Sequence, residues 1–311
     1  MQKIQYLRVI VTEKCNLKCF YCHGEGIEKN NSKTFCYEDL KSCLEILCDS
    51  GIKKIKFMGG EPTLYPDLAR IILWLKRKDF NLDISMITNG IADIKVLDKC
   101  IEAGIDRINV SMHGFREKEF YDVTRGNGIQ LCQFINNIKY LKSRKKLGKV
   151  NYVLLKNINE KEFEEVLDFI CKEDIVLDVL NYIGDNEEEL FKYGYTFDEI
   201  KSIISAKKQI GNVSEYINAY SLNSQRLSLI GGGEINLKIN RLNDSQFLNA
   251  CKECKKKKFC TEGISAIRLT NEGIIKPCLF RKDMTYDLLA NIRCNSIDMV
   301  LNDVREYLDN L

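Results

Sequence analysis

The sequence predicts an α/β protein: a partial (β/α)6 barrel over residues 1–185, followed by a smaller α+β unit over residues 186–311. Two observations carry this. Runs rich in Val, Ile and Leu alternate with stretches of helical period, the pattern of strand–helix units that build a parallel sheet. Six such units precede residue 185, fewer than the eight that close a barrel, and the alternation then stops.

Strands are expected near residues 5–11, 53–58, 82–87, 106–111, 149–155 and 175–182, where β-branched and aliphatic residues cluster between turn formers. Helices are expected near 37–49, 67–78, 93–103, 116–145 and 159–172, where apolar residues recur at three- and four-residue spacing. Right-handed connections would put the loops after each strand on one edge, where the chemistry of such sheets sits. Past residue 185 come a charged stretch from Asp185 to Glu189, a helix near 197–209 and the glycines Gly231 to Gly233. With no G-x-G-x-x-G opening onto a helix, those glycines read as a turn between strands rather than a phosphate loop.

Composition narrows the class. The chain has 311 residues, 45% hydrophobic and 29% charged, enough to bury a large core. No run of eighteen apolar residues occurs and MQKIQYLRVIV is not a signal sequence, so a cytoplasmic protein with no membrane partner is expected. Lys+Arg of 47 against Asp+Glu of 44 gives a net charge of +3, too balanced to suggest nucleic acid.

The 14 cysteines are far above ordinary usage, which in a reducing compartment points to metal or redox chemistry. Cys15, Cys19 and Cys22 form one group and Cys251, Cys254, Cys260 and Cys278 another. Cys36, Cys43, Cys48, Cys100, Cys132, Cys171 and Cys294 are scattered and are expected to be small buried hydrophobes.

The first group, VTEKCNLKCFYCHGEG, follows the first strand directly. Three thiolates from one short loop can hold three irons of a cubane cluster and leave the fourth open. A zinc site completed by His23 is the alternative. The C-x-x-x-C-x-x-C spacing, with Tyr21 before the last cysteine, resembles the signature of the radical S-adenosylmethionine (SAM) superfamily. That resemblance implies a [4Fe–4S] cluster that chelates SAM, an external electron donor such as flavodoxin or ferredoxin, and cleavage to a 5′-deoxyadenosyl radical. IKFMGGEPTLYPD resembles the superfamily's GGEP motif, which would assign Gly59, Gly60, Glu61 and Pro62 to SAM binding. ITNG and NVSMHG add Thr88, Asn89 and Ser111 near the SAM ribose and methionyl groups; His113 reads as a hydrogen-bonded structural residue or a proton shuttle.

Several stretches together are similar to the GTP 3′,8-cyclase family: LRVIVTEKCNLKCFYC, IKFMGGEPTLYPD, RINVSMHG, KVNYVLLKNINE and IRLTNEGIIKPCLF. The similarity implies that Arg8, Lys54, Lys56 and Lys149 face the barrel cavity and hold the phosphates of a small-molecule or nucleotide substrate. Two departures stand against GTP itself: the chain ends VREYLDNL rather than in a glycine-rich tail, and LDVLNYIGD lacks the family's sixth-strand arginine. Four thiols in C-x2-C-x5-C-x17-C, rather than three, can close a second cluster completely, as in the Twitch or SPASM auxiliary domains of enzymes that modify ribosomally made peptides. A structural zinc ion, as in an interaction protein without enzymatic activity, is the alternative there. Lys255 to Lys258 lie inside this cysteine loop and read as a solvated basic turn.

Overall fold

The structure is a computed structural model, and it describes residues 4–24, 33–78, 80–183, 187–207, 210–218, 221–238, 249–252, 254–255, 266–279, 281 and 283–311. Six strands pair in parallel in chain order: β1 (Tyr6–Ile10), β2 (Lys54–Met58), β3 (Asp83–Thr88), β4 (Arg107–Met112), β5 (Leu147–Val153) and β6 (Val176–Leu180). The connecting helices are α1 (Tyr37–Asp49), α2 (Leu68–Arg77), α3 (Ile94–Glu102), α4 (Glu117–Thr124), α5 (Gly128–Ser143) and α6 (Phe163–Glu173). This is the partial barrel that the alternation of patterns predicts.

Residues 116–145 form two helices rather than the single one their periodicity suggests. Arg125 takes a left-handed conformation at the end of α4, with φ 60°. Asn127 and Gln130 then form a reciprocal capping box that starts α5.

Side chains alternate across each strand and so divide into two sets. Leu7, Val9, Ile55, Phe57, Ile84, Met86, Ile108, Val110, Val150, Tyr152, Leu177 and Val179 lie under the helices, all but fully buried. Their neighbours form the concave inner face, which carries the polar Tyr6, Arg8, Lys54, Lys56, Asp83, Ser85, Arg107, Asn109, Lys149, Asn151 and Asp178, with the apolar Ile10, Met58 and Ile87 toward the strand ends. A sheet buried under helices on one side and polar on the other is built to hold a polar ligand.

The later residues add strands at both edges of the same sheet. After α7 (Glu187–Tyr193) and α8 (Phe197–Lys207), β7 (Ile210–Asn218), β8 (Ser221–Leu229) and β9 (Glu234–Lys238) extend it beyond β6, with β9 parallel to β6. Gly231, Gly232 and Gly233, all at positive φ, make the turn between β8 and β9. At the other edge β10 (Ile267–Leu269) pairs in parallel with β1 and leads to β11 (Ile274–Lys276) and β12 (Tyr286–Asp287). The final helices α9 (Leu288–Cys294) and α10 (Ile297–Asp309) pack on α1, where Arg293 reaches Asp39 at 2.9 Å. β1 bonds to β2 and β10, and β6 to β5 and β9, so the described sheet is an open barrel. No helix among the described residues is long and apolar enough to cross a membrane.

The scattered cysteines divide. Cys43, Cys48 and Cys100 are buried as expected, whereas Cys36, Cys132 and Cys294 are exposed and Cys171 is half-buried. Helical period does not distinguish a thiol at the edge of an apolar stripe from one at its centre.

Candidate active site

The loop after β1 carries the first cysteine group, and it is held from three sides. Gly60 N–H donates to Thr12 O at 2.7 Å and Glu61 N–H to Lys14 O at 2.7 Å, which join the loop after β2 to the cysteine loop. Lys18 N–H and Phe20 N–H donate to Thr124 O and Val123 O at the end of α4. Cys22 N–H donates to Cys19 O at 3.1 Å, closing a turn between the last two thiols.

The two glycines are required by this approach. A Cβ on Gly59 would lie 2.3 Å from Thr12 O, and one on Gly60 would lie 2.2 Å from Lys14 O. Those are backbone atoms that cannot swing aside. Together the two loops enclose a cavity of about 300 Å³ lined by Cys15, Cys19, Cys22, Gly24, Gly59 and Gly60. Among the described residues no three Cys, His, Asp or Glu side chains converge as a single metal ion would need. The three thiols instead line a space, and that donor set suits a larger, sulfide-bridged group. Burial raises the Cys15 thiol above its usual range, and binding iron would remove its proton.

Glu61 is the hub of the site. It is 1% exposed, and its Oε1 accepts from Thr63 N–H at 3.1 Å, Thr63 Oγ1 at 2.6 Å and Thr88 Oγ1 at 2.7 Å. Its Oε2 accepts from Asn89 N–H at 2.7 Å. Pro62 follows as the first residue of a short 3-10 turn capped by Glu61. Desolvation still raises its carboxyl pKa against these four donors. Thr88 and Asn89 are thus occupied by the protein itself: Asn89 Nδ2 also donates to Asn16 Oδ1 at 2.6 Å and reaches Cys15 Sγ at 3.9 Å. Ser111 stands on the inner face at the end of β4, in register with Asn151 of β5.

Tyr21 and His113 meet, with Tyr21 Oη 2.5 Å from His113 Nδ1. This ties the cysteine loop to the end of β4, and no sequence spacing announces it. Burial raises the tyrosine well above its normal range, with the nearby Cys19 and Cys22 charges adding to it; burial lowers the imidazole to about 4.

On the inner face Arg8, Lys54 and Lys56 surround one ring, lying 5.8, 4.9 and 5.5 Å from the centroid of Tyr6. Lys54 is lowered, first by burial and then by Lys56 and Arg107, even though it pairs with Asp83 at 3.9 Å. The register sets Arg8 beside Lys56 on one side and Arg268 on the other, with Lys276 beyond Arg268. Arg268 and Lys276 are buried, and the sequence reading missed both; the signal was the turn TNEG in IRLTNEGIIK, which folds β10 and β11 into a hairpin with Arg268 opposite Lys276. Lys149 is set apart, ion-paired to Asp178.

Of the second cysteine group, Cys251, Cys254 and Cys278 are half-buried and Cys260 lies outside the described residues, as do Lys256 to Lys258. Cys254 N–H donates to Cys251 O at 3.2 Å. Arg281 joins the two ends: its Nη1 donates to Ala250 O at 2.6 Å and its backbone N–H to Cys278 Sγ at 3.3 Å, while its Nε and Nη2 hold Asp283 at 2.6 Å.

The model of the radical SAM superfamily matches residues 9–170. A probable GTP 3′,8-cyclase of Methanococcus aeolicus is 31% identical over 294 residues, 94% of this chain and 91% of that protein. A GTP 3′,8-cyclase of Clostridium botulinum is 31% identical over 281 residues, 89% of this chain and 82% of its own. Among solved structures, Streptococcus suis SuiB bound to S-adenosylmethionine superposes with a TM-score of 0.64 at 15% identity, over 98% of this chain and 68% of that one; at that identity it shows the shared fold. The chain belongs to the radical SAM superfamily and is an enzyme that works with S-adenosylmethionine and a [4Fe–4S] cluster.

Proposed function

We propose that Cys15, Cys19 and Cys22 would hold three irons of the [4Fe–4S] cluster, leaving the fourth open to SAM. Bound there, the cluster and SAM would supply the chemistry: with one electron from an external donor, SAM would be cleaved to methionine and a 5′-deoxyadenosyl radical able to take a hydrogen atom from the substrate. The protein's residues orient and shield. Gly59 and Gly60 let the backbone approach SAM, and Glu61, Thr88 and Asn89 hold the loops in register around it; Ser111 faces the same edge. Tyr21 and His113 brace the wall.

The substrate in this reading is an anionic small molecule, a phosphorylated metabolite or nucleotide, that undergoes cyclisation or rearrangement in the barrel. The observation that carries it is the grouping of three cations about Tyr6, whose summed positive potential on one wall favours an anionic ligand. The relatives named GTP 3′,8-cyclase support the same class. Residues 186–311 would carry an auxiliary cluster on Cys251, Cys254, Cys260 and Cys278. A second reading, modification of a ribosomally made peptide, rests on that fourth thiol and on the shared fold with SuiB, also solved bound to its precursor peptide SuiA.

Titration of nucleotides and pyrophosphate into the reconstituted enzyme separates the two. Binding that weakens about tenfold on replacing Arg8 or Lys56 supports the first. Absence of all phosphate binding, with SAM cleavage intact, rejects it.

A further inference from the structure

The loop that carries Cys15, Cys19 and Cys22 begins at Glu13 and returns at Lys33, and its two ends are fastened together. Glu13 N–H donates to Lys33 O at 3.0 Å, Phe35 N–H donates to Val11 O at 2.9 Å, and the Thr12 and Thr34 hydroxyls meet at 2.9 Å. A third segment, from far along the chain, closes this neck. Asn271, in the turn between β10 and β11, donates from Nδ2 to Glu13 Oε1 at 3.1 Å and to Lys33 O at 3.2 Å, so one amide touches both ends of the loop. Both neighbours are acceptors, which fixes the amide with its NH2 toward them. Glu272 adds an ion pair to Lys33 at 2.6 Å.

The turn itself is firmly placed. Thr270 Oγ1 accepts from Ile274 N–H at 3.2 Å, and Thr270 O accepts from Gly273 N–H at 2.9 Å. Gly273, at φ 81°, lies where a Cβ would come within 2.3 Å of Leu289 Cβ on α9, and its carbonyl accepts from Leu289 N–H at 3.2 Å. Asn271 is 7% exposed, and it supplies the one side-chain hydrogen bond that Glu13 makes among the described residues. On the other side of Glu13 stands the loop after β2. A Cβ on Gly60 would meet Glu13 O at 2.5 Å, and the flanking carbonyls of Thr12 and Lys14 accept from Gly60 N–H and Glu61 N–H. Glu13 thus sits between Asn271 and the glycine backbone of the candidate site.

We propose that Asn271 is a positioning residue for the SAM site: acting through Glu13, it clasps the neck of the cysteine loop and sets the thiols against the Gly59–Gly60 backbone at the spacing that the cluster and SAM need. The site then extends beyond residues 9–170, the stretch that the superfamily model matches, and the hairpin of β10 and β11 completes it. This rests on the reading of Cys15, Cys19 and Cys22 as cluster ligands. It adds the residue through which the C-terminal unit acts on them.

The test is hydrogen–deuterium exchange of the full-length apoprotein over residues 14–22, where the Lys18, Phe20 and Cys22 amides are bonded, beside SAM titration of the anaerobically reconstituted holoenzyme. Asn271→Leu removes the donor from a buried site and is expected to speed exchange there about tenfold and to weaken SAM about tenfold, while β3 and β4 keep wild-type protection and so report an intact fold. Asn271→Asp sets a carboxylate against that of Glu13 and is expected to do at least as much. Adding Glu13→Gln, whose NH2 can donate to the introduced carboxylate, should bring both readings back to within about threefold of wild type. A merely structural contact would lower the melting temperature but leave the SAM affinity of folded, iron-loaded protein unchanged. Unchanged exchange or unchanged SAM affinity in Asn271→Leu overturns the proposal, as does a double variant no better than Asn271→Asp alone. A wild type that takes up no iron removes the cluster reading and the proposal with it; a wild type that binds iron and SAM beside an unaffected Asn271→Leu removes the clasp alone.

Discussion

Replacing Glu61 with Gln separates two roles for the GGEP carboxylate. In the structure its oxygens accept four bonds of 2.6–3.1 Å from Thr63, Thr88 and Asn89. A glutamine can keep its oxygen toward the threonine hydroxyls, but its NH2 then faces the Asn89 N–H, donor against donor. Bonds to a charged acceptor contribute about 1.5–3 kcal/mol each, and losing the charge returns part of the burial cost that raises the Glu61 pKa. The balance is a net loss of about 2–3 kcal/mol, which for a chain of 311 residues lowers the melting temperature by roughly 3–5 °C. The assay is thermal unfolding of the apoprotein beside a SAM-binding titration. If melting moves by less than about 1 °C while SAM affinity falls, Glu61 addresses the ligand and not its own loops, and the reasoning is refuted.

Three further outcomes follow from the same geometry. Gly60→Ala drives a Cβ to within 2.2 Å of Lys14 O, so the cysteine loop must shift and iron content after reconstitution should fall; full iron loading would contradict the close approach. His113, lowered from 6.5 to about 4 by burial, binds fewer protons folded than unfolded between those values. Its contribution to stability is therefore complete above pH 6.5 and lost as pH falls toward about 4, at no more than ~1.4 kcal/mol per unit, and His113→Gln apoprotein should show a flatter denaturation profile over that window. Cys278→Ala should remove about four irons yet leave SAM cleavage in place, and loss of cleavage as well would tie the second cysteine group to the first.

Much of the frame was legible in the residues. Each of the six barrel strands lies where Val, Ile and Leu cluster, because a strand covered by helices must be apolar on at least one face. The grouping of Cys15, Cys19 and Cys22 along one cavity was legible because their spacing is local. What escaped was long-range. Asn89 lies 74 residues beyond Cys15 and touches it only because β3 ends beside the loop after β1. The Tyr21–His113 contact spans 92 residues. The chain of bonds from Lys149 through Asp178 and Asn236 to Arg226 depends on the register of four strands, and a slip of one residue would scatter it to opposite faces. The break at Arg125 was readable in hindsight from Asn127 and Gln130, a capping pair inside a continuous helical period.

The most direct test of the account is anaerobic reconstitution of wild type and of Cys15→Ala, Cys19→Ala and Cys22→Ala, with iron and sulfide counted and 5′-deoxyadenosine measured under reducing conditions. The account predicts at least about four irons and SAM cleavage in wild type, and no cleavage in any of the three variants. A wild type that holds zinc and forms no 5′-deoxyadenosine, or a variant of these cysteines that still cleaves SAM, would contradict it.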